Sequence, residues 1–402
     1  MFYPHTERQE HFIAIARQLA AQFAPRAAAH DRAGSFPHEN YADLRATGLP
    51  ALIVPAAWGG WAASLLETVL TMEALAVGDG SVALNAVMHM QTLGDALENQ
   101  SWPPALLERI CRAAVTRGAL INSVASEPEL GSPSRGGKPK TTATPTTRPG
   151  PQGAETGYLL NGHKIFGSGS PTLDYMIMPA LVDDGSQEVG RFLVQPGPGV
   201  EIAPTWDALG LRSTGSHDVY LHNVFVPSEL LIGRGTTNLS VAKVTQGAKT
   251  NAWFMLGVGA VYVGIALAAQ QTAARYALER IPTALGKPIA EVENIQRHLG
   301  QAELLLQQAR AQLYFYADLW DRHPAEQLRL SPGVNAAKVI ATNHAIAAVD
   351  HCMRVAGGAG MTKALPLERY YRDVRGGLLH PMNDDALLVM LGKQVVELAR
   401  AR

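Results

Sequence analysis

The chain has 402 residues, 47% of them hydrophobic and 17% charged. This is globular composition over a length beyond one ordinary core, so two or three domains are expected. Against 35 Asp and Glu stand 34 Lys and Arg, a net charge of −1. That balance offers no basic surface for nucleic acid or an anionic membrane.

From about Glu7 to Ile110 the pattern is helical, with Phe12, Ile15, Ala16, Leu19, Ala20 and Phe23 at helical spacing. Gly48-Leu49-Pro50, Val54-Pro55 and Trp58-Gly59-Gly60 interrupt it. Leu65 to Ala76, Val82 to Leu97 and a segment from Trp102-Pro103-Pro104 to Arg117-Gly118 read as further helices. Composition then turns β-like from about Ala119 to Gly235. The run 119–125 stops at Ser126-Glu127-Pro128, and Tyr158-Leu159-Leu160 and Lys164-Ile165-Phe166 flank Asn161-Gly162 as a hairpin turn. Between them, Ser132 to Gly157 reads as a solvated polar flap carrying Arg135, Lys138, Lys140 and Arg148. Val219, Leu221, Val224 and Val226 suggest strands around Asn223.

Four long helices are expected next, over roughly Asn251–Glu279, Val292–Asp321, Pro332–Ala356 and Asp384–Ala401. The uncharged run 252–269 barely reaches the roughly 18 residues of a membrane span. Gly257, Gly259 and Gly264 favour a helix buried on all sides instead. With no signal-peptide core at the N-terminus, and Cys111 and Cys352 reading as inert core thiols, a soluble cytoplasmic protein without a membrane role is expected. No GxGxxG follows a strand, and no P-loop or nucleophile elbow occurs. The expected domains are 1–118 (helical), 119–235 (β) and 236–402 (helical).

Small hydroxyl and glycine residues end both halves of the central stretch, Gly131-Ser132 and Ser168-Gly169. They leave room for a flat ligand, with Phe166 against its face. The alternative is a solvent-facing hairpin with an aromatic packed beneath it.

These motifs in this order resemble the acyl-CoA dehydrogenase superfamily over essentially the whole chain. Its fold is α+β and mainly α: a helical domain, a small β-barrel or sandwich domain and a C-terminal four-helix bundle. Ser126-Glu127-Pro128-x-x-Gly131-Ser132 and Asn161-Gly162-x-Lys164-x-Phe166-x-Ser168 resemble its two flavin borders. Leu209-Gly210-Leu211-Arg212-Ser213-Thr214, followed by Val224-x-Val226-Pro227, resembles the end of its β domain. The resemblance implies FAD, or alternatively FMN. Phe166 would be its slab, Ser126 and Ser168 its edge, and Ser168 would sit near N5. Arg280, Arg354 and Gly357-Gly358-x-Gly360 would hold the dinucleotide of a partner subunit, which implies at least a homodimer and, by the family, a dimer of dimers. Without the resemblance, the two arginines and the glycines would read as ordinary helix-end residues.

A dehydrogenase of this family needs a carboxylate base beside the flavin. The matching position is Pro381, and the family's second location offers Phe254 and Met255. Asp384 and Asp385 read rather as the cap and first turn of the last helix. His380 stands where the base would be, as in the two-component monooxygenase branch of the dibenzothiophene monooxygenase type. There reduced flavin from a separate reductase meets O2 and forms a C4a-hydroperoxide. His380, Ser168 and His89 match that branch's polar residues, although His89 reads equally as a satisfied core histidine. His163 and His217 are expected to be exposed. The sequence therefore leans to a flavin monooxygenase acting on a small molecule. The alternatives are an acyl-CoA or acyl-carrier dehydrogenase working with an electron-transfer flavoprotein, and a flavin- or acyl-binding protein without turnover.

Overall fold

The structure is a computed structural model that describes residues 4–130, 137–150, 153–235 and 249–400. Helices come first: α1 (Glu7–Ala33), α2 (His38–Ala46), α3 (Leu65–Ala76), α4 (Gly80–Asn99) and α5 (Pro104–Arg117). Their ends follow local chemistry. Thr6 caps α1 by accepting the Gln9 N–H, Ser64 and Glu67 form a capping box on α3, and Asp79 caps α4. Helix α5 stops at Gly118, whose φ of 65° is left-handed.

Strands follow: β1 (Ile121–Ser123), β2 (Thr142–Gly150), β3 (Gly153–Gly167), β4 (Tyr175–Val182), β5 (Val189–Val194), β6 (Val200–Ala203), β7 (His217–Pro227) and β8 (Leu231–Gly235). They form one mixed sheet in the order β6-β7-β3-β2-β4-β5-β8, with β1 also on β4. β1 and β2 run parallel to β4, and the other pairs are antiparallel. The second helical region comprises α6 (Ala252–Glu279), α7 (Glu293–Arg322), α8 (Gln327–Ala356), α9 (Leu367–Asp373) and α10 (Asp384–Arg400). In α6, the most apolar 18-residue window is 83% buried inside the protein, so it serves as a core helix. A side chain at Gly257 would strike Val87 of α4, and one at Gly264 the carbonyl of Glu73 in α3. The helix thus packs backbone-close on both.

The β region corrects two expectations. Asn161-Gly162 is no turn: β3 runs straight through it, paired with β2 on one side and β7 on the other. The pair sits where the register with β7 shifts, a bulge. Gly162 is needed there because a Cβ would collide with Thr141, and Asn161 bonds Asn223, itself at φ 51° inside β7. The true hairpin joins β2 to β3, so much of the expected flap is paired strand. Pro145 and Pro149 misled the reading, yet both lie beyond Thr142 and Ala143, which alone in β2 pair with β4, where β2 has become an edge strand. The flap's basic residues are also occupied: Arg148 lies 3.6 Å over the Phe225 ring, Lys140 pairs with Glu129, and Lys138 bonds Gln187. Arg135 lies outside the described residues. In the last region, α8 starts five residues before the expected Pro332. Leu328, whose carbonyl the missing proline N–H would have bonded, is exposed.

Cys111 and Cys352 are buried, and burial pushes both thiols up to about 12, which makes them unreactive.

Candidate functional site

At the end of β3 the chain places Phe166 in a left-handed conformation, φ 56°, with 58% of its surface exposed. A bulky residue in that region is strained, and an exposed ring gains little from burial. Such a combination is expected where a ring serves a ligand. Trp206 meets it edge-to-face at 6.1 Å. Trp206 is itself held: its N–H donates to Nδ1 of His217, and its indole N–H to the Leu211 carbonyl. His217, expected to be exposed, is therefore half-buried and in use, as is His163, which stacks on Tyr220 and bonds Asp218.

Beneath Phe166 the two motif halves are stapled together. Lys164 and Glu127 are 0% and 1% exposed, and Nζ lies 2.6 Å from Oε1. The Thr141 hydroxyl and the Lys140 N–H also donate to this carboxylate, and Lys164 donates to the Pro179 carbonyl. Lys164 favours the ionised carboxylate, whose pKa lies below the usual range despite its burial. The Ile165 N–H donates to the Ser126 carbonyl at 2.9 Å, so Ser126 lies at the same edge as Phe166. Beside the ring, Ser168 Oγ is 2.8 Å from Ser216 Oγ, which is 2.8 Å from Thr214 Oγ1.

The opposite rim is helical. His380 faces Phe254 and Tyr262, with ring centroids at 6.3 and 5.9 Å. Its own ring makes no hydrogen bond among the described residues. Burial, and secondarily the charge of Lys338, lower it to about 4, so the imidazole is neutral at pH 7. Lys338 of α8 is fully buried and donates to the carbonyls of Gly377, His380 and Met382, at 2.8, 2.8 and 3.0 Å. It thus fixes the backbone that carries His380, and burial lowers it to about 8. The two rims touch. Leu211 donates its N–H to Asp373, and a Cβ at Gly376 would meet Tyr262 Oη and the Leu211 side chain. Tyr262 Oη is buried with no hydrogen-bond partner among the described residues.

Other expected site residues fall elsewhere. His89 is 1% exposed: Nδ1 accepts the Ile121 N–H, and Nε2 donates to the Pro50 carbonyl. Both ring nitrogens serve the backbone, which corrects its reading as catalytic, and burial lowers it to about 4. The cap of α10 is Asn383, not an aspartate. Asp384 in its first turn accepts from Asn343, and Asp385 is exposed. Arg280 ends α6 roughly 27 Å along the helix from Tyr262, at 1.5 Å per residue. Arg280 and Arg354 are exposed and form no ion pair among the described residues. Gly357 (φ 55°, ψ −137°) and Gly358 present open backbone, since a Cβ there would meet nothing within 4 Å. Gly360 instead closes on Ala356 and Met353 of α8's last turn. Gly131 and Ser132 lie outside the described residues.

A flavin fits what is present. It needs an apolar slab and hydroxyl donors and acceptors at its edge. Phe166, Ser126 and Ser168 supply the slab and the edge, and the orphaned atom, Tyr262 Oη, lies fully buried behind the helical rim. Sequence reasoning missed Tyr262, Lys338 and Ser216, and quoted Lys164 and Thr214 without a role of their own. A signal existed for the lysines. Lys164 shares the inward face of β3 with Leu160, and Lys338 shares the inward stripe of α8 with Val334 and Ala341. A lysine at such a position implies a buried charge needing partners.

A helical region, one sheet and a second helical region, meeting at an exposed ring and a hydroxyl row, define an acyl-CoA dehydrogenase-type architecture. Sequence models of the acyl-CoA dehydrogenase N-terminal, middle and C-terminal domains match residues 6–101, 123–224 and 256–385. YdbM of Bacillus subtilis, described as a candidate acyl-CoA dehydrogenase, is 36% identical over 97% of this chain and 98% of its own length. The dibenzothiophene monooxygenase of Mycolicibacterium goodii is 27% identical over 92% of this chain and 89% of that protein. The crystal structure of FMN-bound TdsC from Paenibacillus sp. A11-2 superposes with a TM-score of 0.79 at 25% identity, covering 92% of this chain and 94% of that one. The chain belongs to the acyl-CoA dehydrogenase family of flavin-dependent oxidoreductases.

Proposed function

We propose that this chain is a flavin-dependent monooxygenase that takes a reduced flavin and O2 to a small aromatic or heteroatom-bearing substrate. The observation that carries this reading is at the helical rim. The two positions from which the family draws a carboxylate base hold Pro381 and the Phe254-Met255 pair, and the adjacent His380 is a neutral imidazole among aromatic rings. Proton abstraction by a carboxylate is poorly served there. A dry pocket with a neutral donor is well served.

In this reading Phe166 lies against the ring of the flavin, and Ser126 and Ser168 hold its polar edge. His380, kept uncharged by burial and fixed through its backbone by Lys338, offers one N–H and one lone pair toward the reacting oxygen. Phe254 and Met255 exclude water. When bound and reduced, the flavin supplies the two electrons that let one atom of O2 enter the substrate while the other leaves as water. Arg280, Arg354, Gly357 and Gly358 of a second copy hold the pyrophosphate, which favours FAD, with FMN the alternative. This implies a homodimer, assembled as a dimer of dimers, supplied by a separate reductase and soluble in the cytoplasm.

The test loads the protein with chemically reduced FAD or FMN and admits O2 with and without a panel of aromatic and sulfur heterocycles. Oxygenated product formed in proportion to the flavin oxidised is expected. His380→Ala should release hydrogen peroxide in place of product. Retained coupling in that variant would count against the role of His380. The second reading, an acyl-CoA dehydrogenase with another base, is favoured by the 36% identity to YdbM. It predicts anaerobic bleaching of bound flavin by an acyl thioester alone, with electrons passed to an electron-transfer flavoprotein. A binding protein without turnover would show neither reaction.

A further inference from the structure

The hydroxyl row beside Phe166 has a direction. Ser168 Oγ, Ser216 Oγ, Thr214 Oγ1 and the Leu211 carbonyl follow one another at 2.8, 2.8 and 3.1 Å. Ser216 and Thr214 are buried, and Ser168 is the half-buried outer end. Each hydroxyl has one proton, and the carbonyl at the inner end only accepts. With all three protons pointing inward, the row makes three hydrogen bonds. Reversed, it makes two. The row therefore rests with Ser168 donating to Ser216, Ser216 to Thr214 and Thr214 to Leu211. Ser168 turns a lone pair outward. Its backbone is fixed, because its carbonyl accepts from Asn122 and its N–H donates to Phe166, so only the hydroxyl can turn. Thr214 is fixed likewise by Asn85, which donates to its carbonyl.

We propose that Thr214 and Ser216 are positioning residues that make Ser168 a hydrogen-bond acceptor toward the cofactor, so that the chain favours reduced over oxidised flavin. The inference rests on the reading of Ser168 as the neighbour of N5. Reduced flavin carries a hydrogen on N5, and oxidised flavin carries only a lone pair there. Toward reduced flavin the row keeps its three bonds and gains a fourth. Toward oxidised flavin Ser168 must donate outward, so either its bond to Ser216 is given up or the row reverses and the Leu211 carbonyl loses the Thr214 hydroxyl; in both cases one internal bond is lost for the one that N5 gains. The net difference is one hydrogen bond, or roughly two- to tenfold in affinity. That polarity suits a protein that receives its flavin already reduced.

The experiment is an anaerobic titration of the whole protein with oxidised and dithionite-reduced FMN and FAD, with the midpoint potential of the bound flavin as second readout. Wild type should bind the reduced form several-fold tighter, which raises the bound potential above that of free flavin. A fivefold preference corresponds to about 20 mV. Ser216→Ala and Thr214→Val, which interrupt the row, should bring the ratio near one. Thr214→Ser, which keeps the hydroxyl, should preserve it. An unchanged ratio in both interrupting variants, or a wild-type potential below that of free flavin, overturns the relay and leaves the flavin site standing. If wild type binds neither flavin in either state, the underlying reading fails and the relay fails with it.

Discussion

The two rims of the site each hinge on a fully buried lysine, and they solve that problem differently. At the sheet edge, Lys164 faces a carboxylate, and the pair locks Ser126 and Phe166 onto one frame. At the helical rim, Lys338 meets three backbone carbonyls in a loop, and among the described residues it makes no carboxylate hydrogen bond. Opposite charge compensates the first ion, and dipoles compensate the second. Burial pushes both lysines down, Lys338 to about 8, so neither arrangement cancels the cost of desolvation. The sheet edge is thus built for rigidity, while the helical rim is a loop gathered around one cation.

The largest expected effect tests the sheet edge. Lys164→Met leaves Glu127 buried without its counter-charge and should cost roughly 3–5 kcal/mol in a urea melt. The double variant with Glu127→Met should recover most of that. Failure to recover would show that the carboxylate also holds Lys140 and Thr141 in place at comparable cost.

Next comes pH. His89 supports β1 at the sheet edge, and its pKa is lowered from 6.5 to about 4. Between those values the unfolded chain binds the extra proton and the native chain does not, so stability falls as pH drops from 6.5 toward 4. The loss is about 3 kcal/mol at 1.36 kcal/mol per pH unit. Denaturation midpoints at pH 7 and 4.5 should show it, and His89→Gln should remove that share while leaving the similar share of His380, which is also lowered to about 4. An equally steep curve in that variant would show that His89 carries no share.

Lys338→Met sharpens the contrast. It removes three hydrogen bonds but strands no directly bonded carboxylate, so it should cost only about 1–2 kcal/mol. Coupling of flavin oxidation to product should fall more than stability does, because the His380 backbone loosens. A cost equal to that of Lys164→Met would reveal an ion pair, with Asp384 as its partner.

The smallest effect is at Phe166. Phe166→Asn places a residue that tolerates left-handed φ at 56°, so stability should hold or rise by up to about 1 kcal/mol while flavin affinity drops. A clear loss of stability would show that the ring packs within its own chain.

Much of this was legible in the sequence, and the gaps have physical causes. Helices α3 and α5 could be read because caps, Pro and Gly mark their ends, and α6 because uninterrupted small and apolar residues leave no polar face. Asn161-Gly162 misled because the dipeptide suits a tight turn and a bulge alike, and only pairing on both sides of β3 decides between them. The occupied ring of His89 could not be read, because its partners are the backbones of Pro50 and Ile121, distant in sequence. The exposure and left-handed φ of Phe166 depend on the bend after β3. The lysines were partly legible, since each breaks an otherwise apolar stripe.

Helix α6 carries one more consequence. It packs against α3, α4, α7 and α8, so its peptide groups reach water only if the layers on every side part together. Local fraying should not open it. Amide hydrogens of residues 256–269 should exchange with deuterium only at the rate set by global unfolding, the slowest in the protein. Faster exchange there than in the sheet would mean that the helical layers separate before the strands do.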